Sequence, residues 1–238
     1  MHRTHWEAED IEEFKRIFLH CVETHYHTEG ILYHDISENT LMIWRPANGI
    51  DLDARESNNA QKSFGVLNDF DMAVEVNAKG RSPPIGAGHR TATLPFMAVD
   101  LLGNNMGSGP HLYRHDLESF FYILVWAAVH YDLKHKRRTE TPEKFQKWLT
   151  HENAYAEKKA FLFSSIDADS KIYGCVASEF KDVWDEWVIP LQKLFRRAFY
   201  YELERKESEE GYDYETIDGK ITFEGFMTAI GVKPRGLE

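Results

Sequence analysis

The chain has 238 residues, 42% hydrophobic and 13% aromatic, which supplies a folded core and excludes a disordered polypeptide. A formal net charge of −11 excludes wrapping of nucleic acid, which needs a clustered basic surface. Two cysteines (Cys21 and Cys175), a polar and acidic start, and a longest apolar run of only 120–129 exclude a disulfide framework, a signal peptide and a membrane span; an intracellular setting, cytoplasmic or nuclear, fits.

Residues 7–27 place Ile11, Phe14, Ile17, Phe18, Cys21, Val22 and His25 at the spacing of an amphipathic helix, with Gly30 as its stop. Ile31, Leu32 and Tyr33 lead into a polar stretch at 34–39, and 41–44 reads as a short strand. Residues 45–63 contain Pro46, Asn48-Gly49 and Asn58-Asn59, the marks of an exposed hairpin loop, and a second strand at 65–67 delivers Asp69, Phe70 and Asp71. From 72 to 91 the chain is rich in glycine and proline and aperiodic, as a long functional loop is. Asp116 then opens a helix at 117–129 that is apolar nearly all round, so it is buried on most sides. Helices at 142–150, 153–163 and 178–206 follow, the last kinked or split at Pro190. Thr222 caps a short closing helix at 223–230. No internal repeat interrupts this single, mostly helical unit.

Several clusters invite a metal or a partner and do not hold up. His20, Cys21, His25 and His27 fall on different faces of one helix, with no second ligand pair at finger spacing, so zinc is not expected. In the stretch 213–224, setting Gly219 at the sixth position of a calcium loop puts Tyr214 at the first and Gly225 at the twelfth, where a glutamate is required. The basic run 134–138 reads as a solvated loop, with nuclear import as the sharper alternative. Ser82, Thr91 and Thr93 are hydroxyls in the long loop; Arg81 and Arg90 there suit a phosphate or an acidic substrate.

One ordered set carries chemistry. After the first helix come Tyr33-His34-Asp35, then a strand, then Asp69-Phe70-Asp71, 34 positions beyond Asp35 (69 − 35). A long loop ends in Thr93-Leu94-Pro95-Phe96-Met97-Ala98-Val99-Asp100, and Asp116 precedes the buried helix. This order resembles the second half of a protein kinase domain, with Tyr33-His34-Asp35 at the His-Arg-Asp position and Asp69-Phe70-Asp71 at Asp-Phe-Gly. The wording Asp35-Ile36-Ser37, Thr93-Leu94-Pro95-Phe96-Met97-Ala98 and His115-Asp116-Leu117-Glu118-Ser119-Phe120 is closer still to the fungal-type protein kinase family, as is the closing run 219–226.

The resemblance implies a mainly α fold with a small β-hairpin, the C-terminal lobe of a protein-kinase-like fold, over residues 1–232. Its parts are the helix before the catalytic loop (1–30), the catalytic loop and metal turn (31–71), the activation-type and substrate loop (72–115), and the helical core with the C-terminal segment (116–232). It implies ATP and Mg²⁺ as cofactors and phosphate transfer to a protein hydroxyl, with a family-level lean to serine and threonine. Asp35 would accept or orient the hydroxyl proton, Asp69 would hold Mg²⁺, and Thr93 would position Asp35. Tyr33 would fill an apolar slot, Asp116 would hydrogen-bond the backbone of loop 33–35, and Asp100 would pair with Arg196 or Arg197.

The sequence also departs from that pattern. Tyr33 and His34 replace histidine and arginine, Thr40 stands where a metal-binding asparagine is usual, and Asp71 replaces glycine, as the fungal family tolerates. The 34 residues ahead of Asp35 hold no glycine-rich phosphate loop and no Val-Ala-x-Lys strand, so an N-terminal lobe is absent from the sequence. The expectation is a chain silent in phosphate transfer. The alternative is a non-catalytic, pseudokinase-type interaction module whose partner is a missing N-terminal lobe or another protein. A metal-dependent phosphatase or glycosyl transferase built on Asp69-x-Asp71 leaves 93–100 and Asp116 unexplained.

Overall fold

The computed structural model describes residues 2–28, 31–46, 63–69, 71–75, 93–103, 110–204 and 211–235. Gly30, Phe70, the hairpin loop at 47–62 and the long loop at 76–92, with Ser82, Thr91, Arg81 and Arg90, lie outside them. The described residues are mainly helical with small antiparallel sheets.

The first helix, α1, spans Ile11–His27. Asp10 caps it by accepting from the Glu13 amide, one of the orphan donors at its start, and the Glu13 carboxylate accepts from the Glu9 amide just ahead of the cap. Its apolar stripe buries Phe14, Ile17, Phe18, Cys21, Val22 and His25, as the spacing predicts. Strand β1 (His2–Thr4) lies ahead of it, β2 (Ile31–Leu32) follows, and β3 (Leu41–Trp44) and β4 (Phe64–Leu67) are the expected pair. The sheet order is β1-β3-β4, all antiparallel, with Met42 opposite both Thr4 and Val66. The hairpin is therefore one part of a three-stranded sheet, and β5 (Val74–Glu75) pairs separately with β2. Gly65 sits where β4 crosses α1, and a Cβ there would lie 2.1 Å from the Ile17 carbonyl oxygen. Only glycine permits that approach.

Helix α2 is a single turn, Val99–Leu102, and α3 runs over Tyr113–His130. Asp116 is thus the fourth residue of α3 and not its opening residue; the His115 imidazole caps instead, its Nδ1 accepting from the Leu112 amide at 3.1 Å. Every residue from 114 to 130 is buried, so α3 is the axis of the domain core. Phe120 meets Phe18 of α1 edge-on at 5.8 Å, and Phe121 stacks on Phe195 at 5.2 Å. Tyr122 meets Trp148 edge-on at 5.4 Å. Each such ring contributes about 2–3 kcal/mol of burial, and their offset or perpendicular arrangement suits the ring quadrupoles.

After α3 the chain forms a small hairpin, β6 (Tyr131–Asp132) with β7 (Arg137–Arg138), in place of the expected simple loop. Then come α4 (Glu143–Gln146), α5 (His151–Phe163), α6 (Lys181–Val183) and α7 (Ile189–Glu204). Pro190 does not split the last helical run. The residues before it, Trp184–Val188, widen into a π turn, which absorbs the missing amide donor and the ring's bulk while the backbone stays helical. Thr222 caps α8 (Phe223–Ala229) by accepting from the Gly225 amide at 3.0 Å. Among the described residues no helix is long and apolar enough to cross a membrane.

Candidate functional site

Loop 33–40 lies between β2 and β3, and side chains from four directions fix it. Tyr33 is 1% exposed and joins the main core, filling the apolar slot foreseen for it. The Asp35 amide donates to the Tyr33 carbonyl at 2.8 Å across a tight turn in which His34 has φ 63°. That left-handed conformation strains a residue with a Cβ, so its surroundings must enforce it. Two contacts do so: the Tyr33 amide donates to Asp116 Oδ2 at 3.1 Å, and the His34 ring stacks on His111 at 4.2 Å.

Asp116 is the hub. Besides the Tyr33 amide, its carboxylate accepts from His25 Nε2 at 2.8 Å and from His111 Nε2 at 2.6 Å, and it is fully buried. Burial opposes ionisation, yet His111 and His25 hold the carboxyl well below the usual carboxylate range. The sequence pointed to the backbone contact; the two imidazoles are what make a buried carboxylate tolerable there.

Asp35 is half-buried, and among the described residues its carboxylate accepts two hydrogen bonds, both on Oδ1: the Thr93 amide donates at 3.0 Å and the Thr93 hydroxyl at 3.2 Å. Thr93 and Asp35 are 58 positions apart in sequence, and the fold brings them together in the pairing the motif order implies. Thr40 is different. Its hydroxyl accepts from the Ser37 amide at 3.0 Å and donates to the Ser37 carbonyl at 2.9 Å, closing the loop on itself. The far side of the loop is pinned by Glu38, which accepts from Tyr131 at 2.9 Å and Arg138 at 2.7 Å.

Asp69 leaves β4 with φ 64°, and both it and Asp71 are exposed. Among the described residues no group of three histidine, cysteine, aspartate or glutamate side chains is placed to hold a metal ion. The Thr40 hydroxyl, at the position where a metal-binding asparagine is usual, is turned onto Ser37.

Asp100, the second residue of α2, pairs with Arg114 of α3 at 2.5 Å, with His115 Nε2 at 3.7 Å. The expected partner, Arg196 or Arg197, is wrong: both lie on α7, whereas Arg114 sits in the first turn of α3, beside α2. Partial burial works against the Asp100 charge, but His115 and Arg114 hold its carboxyl well below the ordinary range. Burial, with the Arg114 charge, pushes His115 down to about 3, so the ring is neutral, as its acceptor role toward Leu112 requires.

Two further residues were not foreseen. Lys158 of α5, 0% exposed, donates from Nζ to the Pro95 carbonyl at 3.0 Å and to the Met97 carbonyl. Glu118 of α3, 1% exposed, accepts from the Val99 amide at 3.0 Å and from the Tyr122 hydroxyl at 2.8 Å. Burial drives the Lys158 ammonium well below its ordinary range against the pull of Glu118. Burial, then the Asp100 charge, pushes the Glu118 carboxyl up to about 7. A signal was present: Lys158 stands in the stripe Ala154, Lys158, Phe161, Leu162, where a lysine at helical spacing among apolar residues calls for a partner.

A family model described as fungal protein kinase matches residues 3–128, from the second residue of β1 through all but the last two residues of α3, and so includes every site residue named so far except Lys158, with Tyr131 and Arg138 of the Glu38 anchor. No curated protein matches the chain.

Proposed function

Because the chain belongs to the fungal protein kinase family, we propose that it is a kinase-type lobe keeping the acceptor side of a phosphate-transfer site while silent, by itself, in that transfer. The observation that carries this is the contrast between two hydroxyls: Thr93 seats Asp35 through two hydrogen bonds, whereas Thr40 is closed on Ser37.

On this reading Asp35 and segment 93–99 receive a protein segment that presents a serine or threonine hydroxyl, inside the cell. Thr93 fixes Asp35 Oδ1, so the carboxylate is held in one orientation before the acceptor arrives, and that orientation is what a proton acceptor contributes. ATP supplies the phosphate in the family's chemistry. The residue that departs from the family's grip on it is Thr40, whose hydroxyl is turned onto Ser37. The lobe then works as a pseudokinase-type module that binds a protein partner at the acceptor side.

Titrating Mg²⁺-ATP into the 238-residue chain while following its melting temperature tests this, since a ligand of the folded state raises that temperature by mass action. No change beyond about 1 °C at about 5 mM nucleotide is expected. A saturable rise that Asp69→Ala abolishes would contradict the proposal.

A further inference from the structure

The buried Lys158 and Glu118 are unabsorbed by the chemistry at Asp35, and both end on the same short stretch of backbone. Lys158 takes the carbonyls of Pro95 and Met97, and Glu118 takes the amide of Val99, so alternate residues at 95, 97 and 99 are each fixed by a buried ionisable side chain. The two are joined through Tyr122: the Lys158 ammonium lies 3.5 Å from the centre of its ring, and its hydroxyl donates to Glu118. A small core of Met97, Ala98, Leu101, Leu102 and Ala154 packs under the stretch, apart from the main core. At the other end a tight turn, with the Phe96 amide on the Thr93 carbonyl at 2.9 Å, passes the position of 95–97 directly to Thr93.

We propose that Lys158 and Glu118 are positioning residues: a clamp from α5 and α3 that sets segment 93–99 and thereby seats Thr93 on Asp35. The proposal rests on the reading that this segment and Asp35 face the acceptor protein. A lysine that merely filled the α5 stripe would be a poor choice, because methionine or leucine would pack there without desolvating an ammonium. Its donors go to main-chain carbonyls of a stretch outside any helix or strand ladder. The charge therefore acts on the shape of the segment. Asp100, Arg114 and His115 stand at the end of the same stretch and fix its exit into α2.

Residue-resolved amide exchange on the full chain tests the clamp independently of any phosphate transfer. Lys158→Met keeps the volume and removes the donors. The Thr93 and Phe96 amides are expected to lose protection by about ten-fold or more, the worth of one charge-assisted hydrogen bond, while amides at 121–125 of α3 stay within about two-fold of wild type. Lys158→Gln, milder and still polar, gives the same pattern if the methionine variant does not fold. Unchanged Thr93 protection, or a loss no larger than that of α3, overturns the clamp. The nucleotide titration above decides the phosphate-transfer reading separately, so the failure of either is recognised without the other.

Discussion

Replacing Asp116 by asparagine keeps the shape of the hub and removes its charge. Three donors converge on the carboxylate, from His111, His25 and the Tyr33 amide, at 2.6, 2.8 and 3.1 Å. Asparagine offers a single acceptor oxygen, so at least one buried N–H would face an amide N–H, and the remaining bonds would lose their charge assistance. Hydrogen bonds to a charged group contribute roughly 1.5–3 kcal/mol each, and breaking one side of a buried charged cluster costs about 3–5 kcal/mol. We expect about 3–4 kcal/mol, a large part of a typical domain stability of roughly 5–15 kcal/mol. With a urea slope near 3 kcal/mol/M, the unfolding midpoint followed by tryptophan fluorescence falls by about 1 M. The Tyr33 amide, whose acceptor is weakened, loses exchange protection ahead of the α3 amides. A midpoint change under about 0.3 M with Tyr33 still protected would refute the assignment of Asp116 as the element that holds the strained turn at His34.

Three other outcomes follow from the same packing. Arg114→Met leaves Asp100 without its guanidinium and is expected to cost about 2 kcal/mol in urea unfolding, while Arg196→Ala and Arg197→Ala stay within about 0.5 kcal/mol. Gly65→Ala drives a methyl into the Ile17 carbonyl and should destabilise by about 3 kcal/mol or more, read from the same unfolding curve. Asp100 and Asp116 both titrate below their ordinary value of 3.8, so the stability they contribute is complete above that value and is lost as pH falls through their folded pKa. The urea midpoint should therefore hold steady above about pH 5 and fall continuously below about pH 4, less steeply in Asp100→Asn.

The long-range pairs of the site were legible because they depend on motif order and not on exact boundaries. Thr93 against Asp35 and Asp116 against the Tyr33 amide span 58 and 83 positions, and both are contacts that the family resemblance implies for residues at those motif positions. The partner of Asp100 was not legible, and the cause is local. Starting α3 at Asp116 leaves Arg114 in a loop; starting it at Tyr113 puts Arg114 in the first turn, within reach of α2. His25 was recognised on the apolar face of α1, but its acceptor sits 91 positions away and leaves no trace in that face. Strands of two or three residues, such as β1, β2 and β7, are too short to carry a period, so the three-stranded sheet and the small hairpins emerge only from pairing. Lys158 lay in plain view in an apolar stripe, and what it holds depends on how α5 meets segment 95–97.

The proposal that the acceptor side is kept in a chain silent by itself is tested most directly by supplying the 238-residue chain with Mg²⁺, γ-labelled ATP and a mixture of serine- and threonine-bearing acceptor proteins. The account predicts label transfer no greater than that of Asp35→Ala. Transfer that disappears with Asp35→Ala and with Asp69→Ala would contradict it, and would mean that Asp69 grips the nucleotide despite the committed hydroxyl of Thr40.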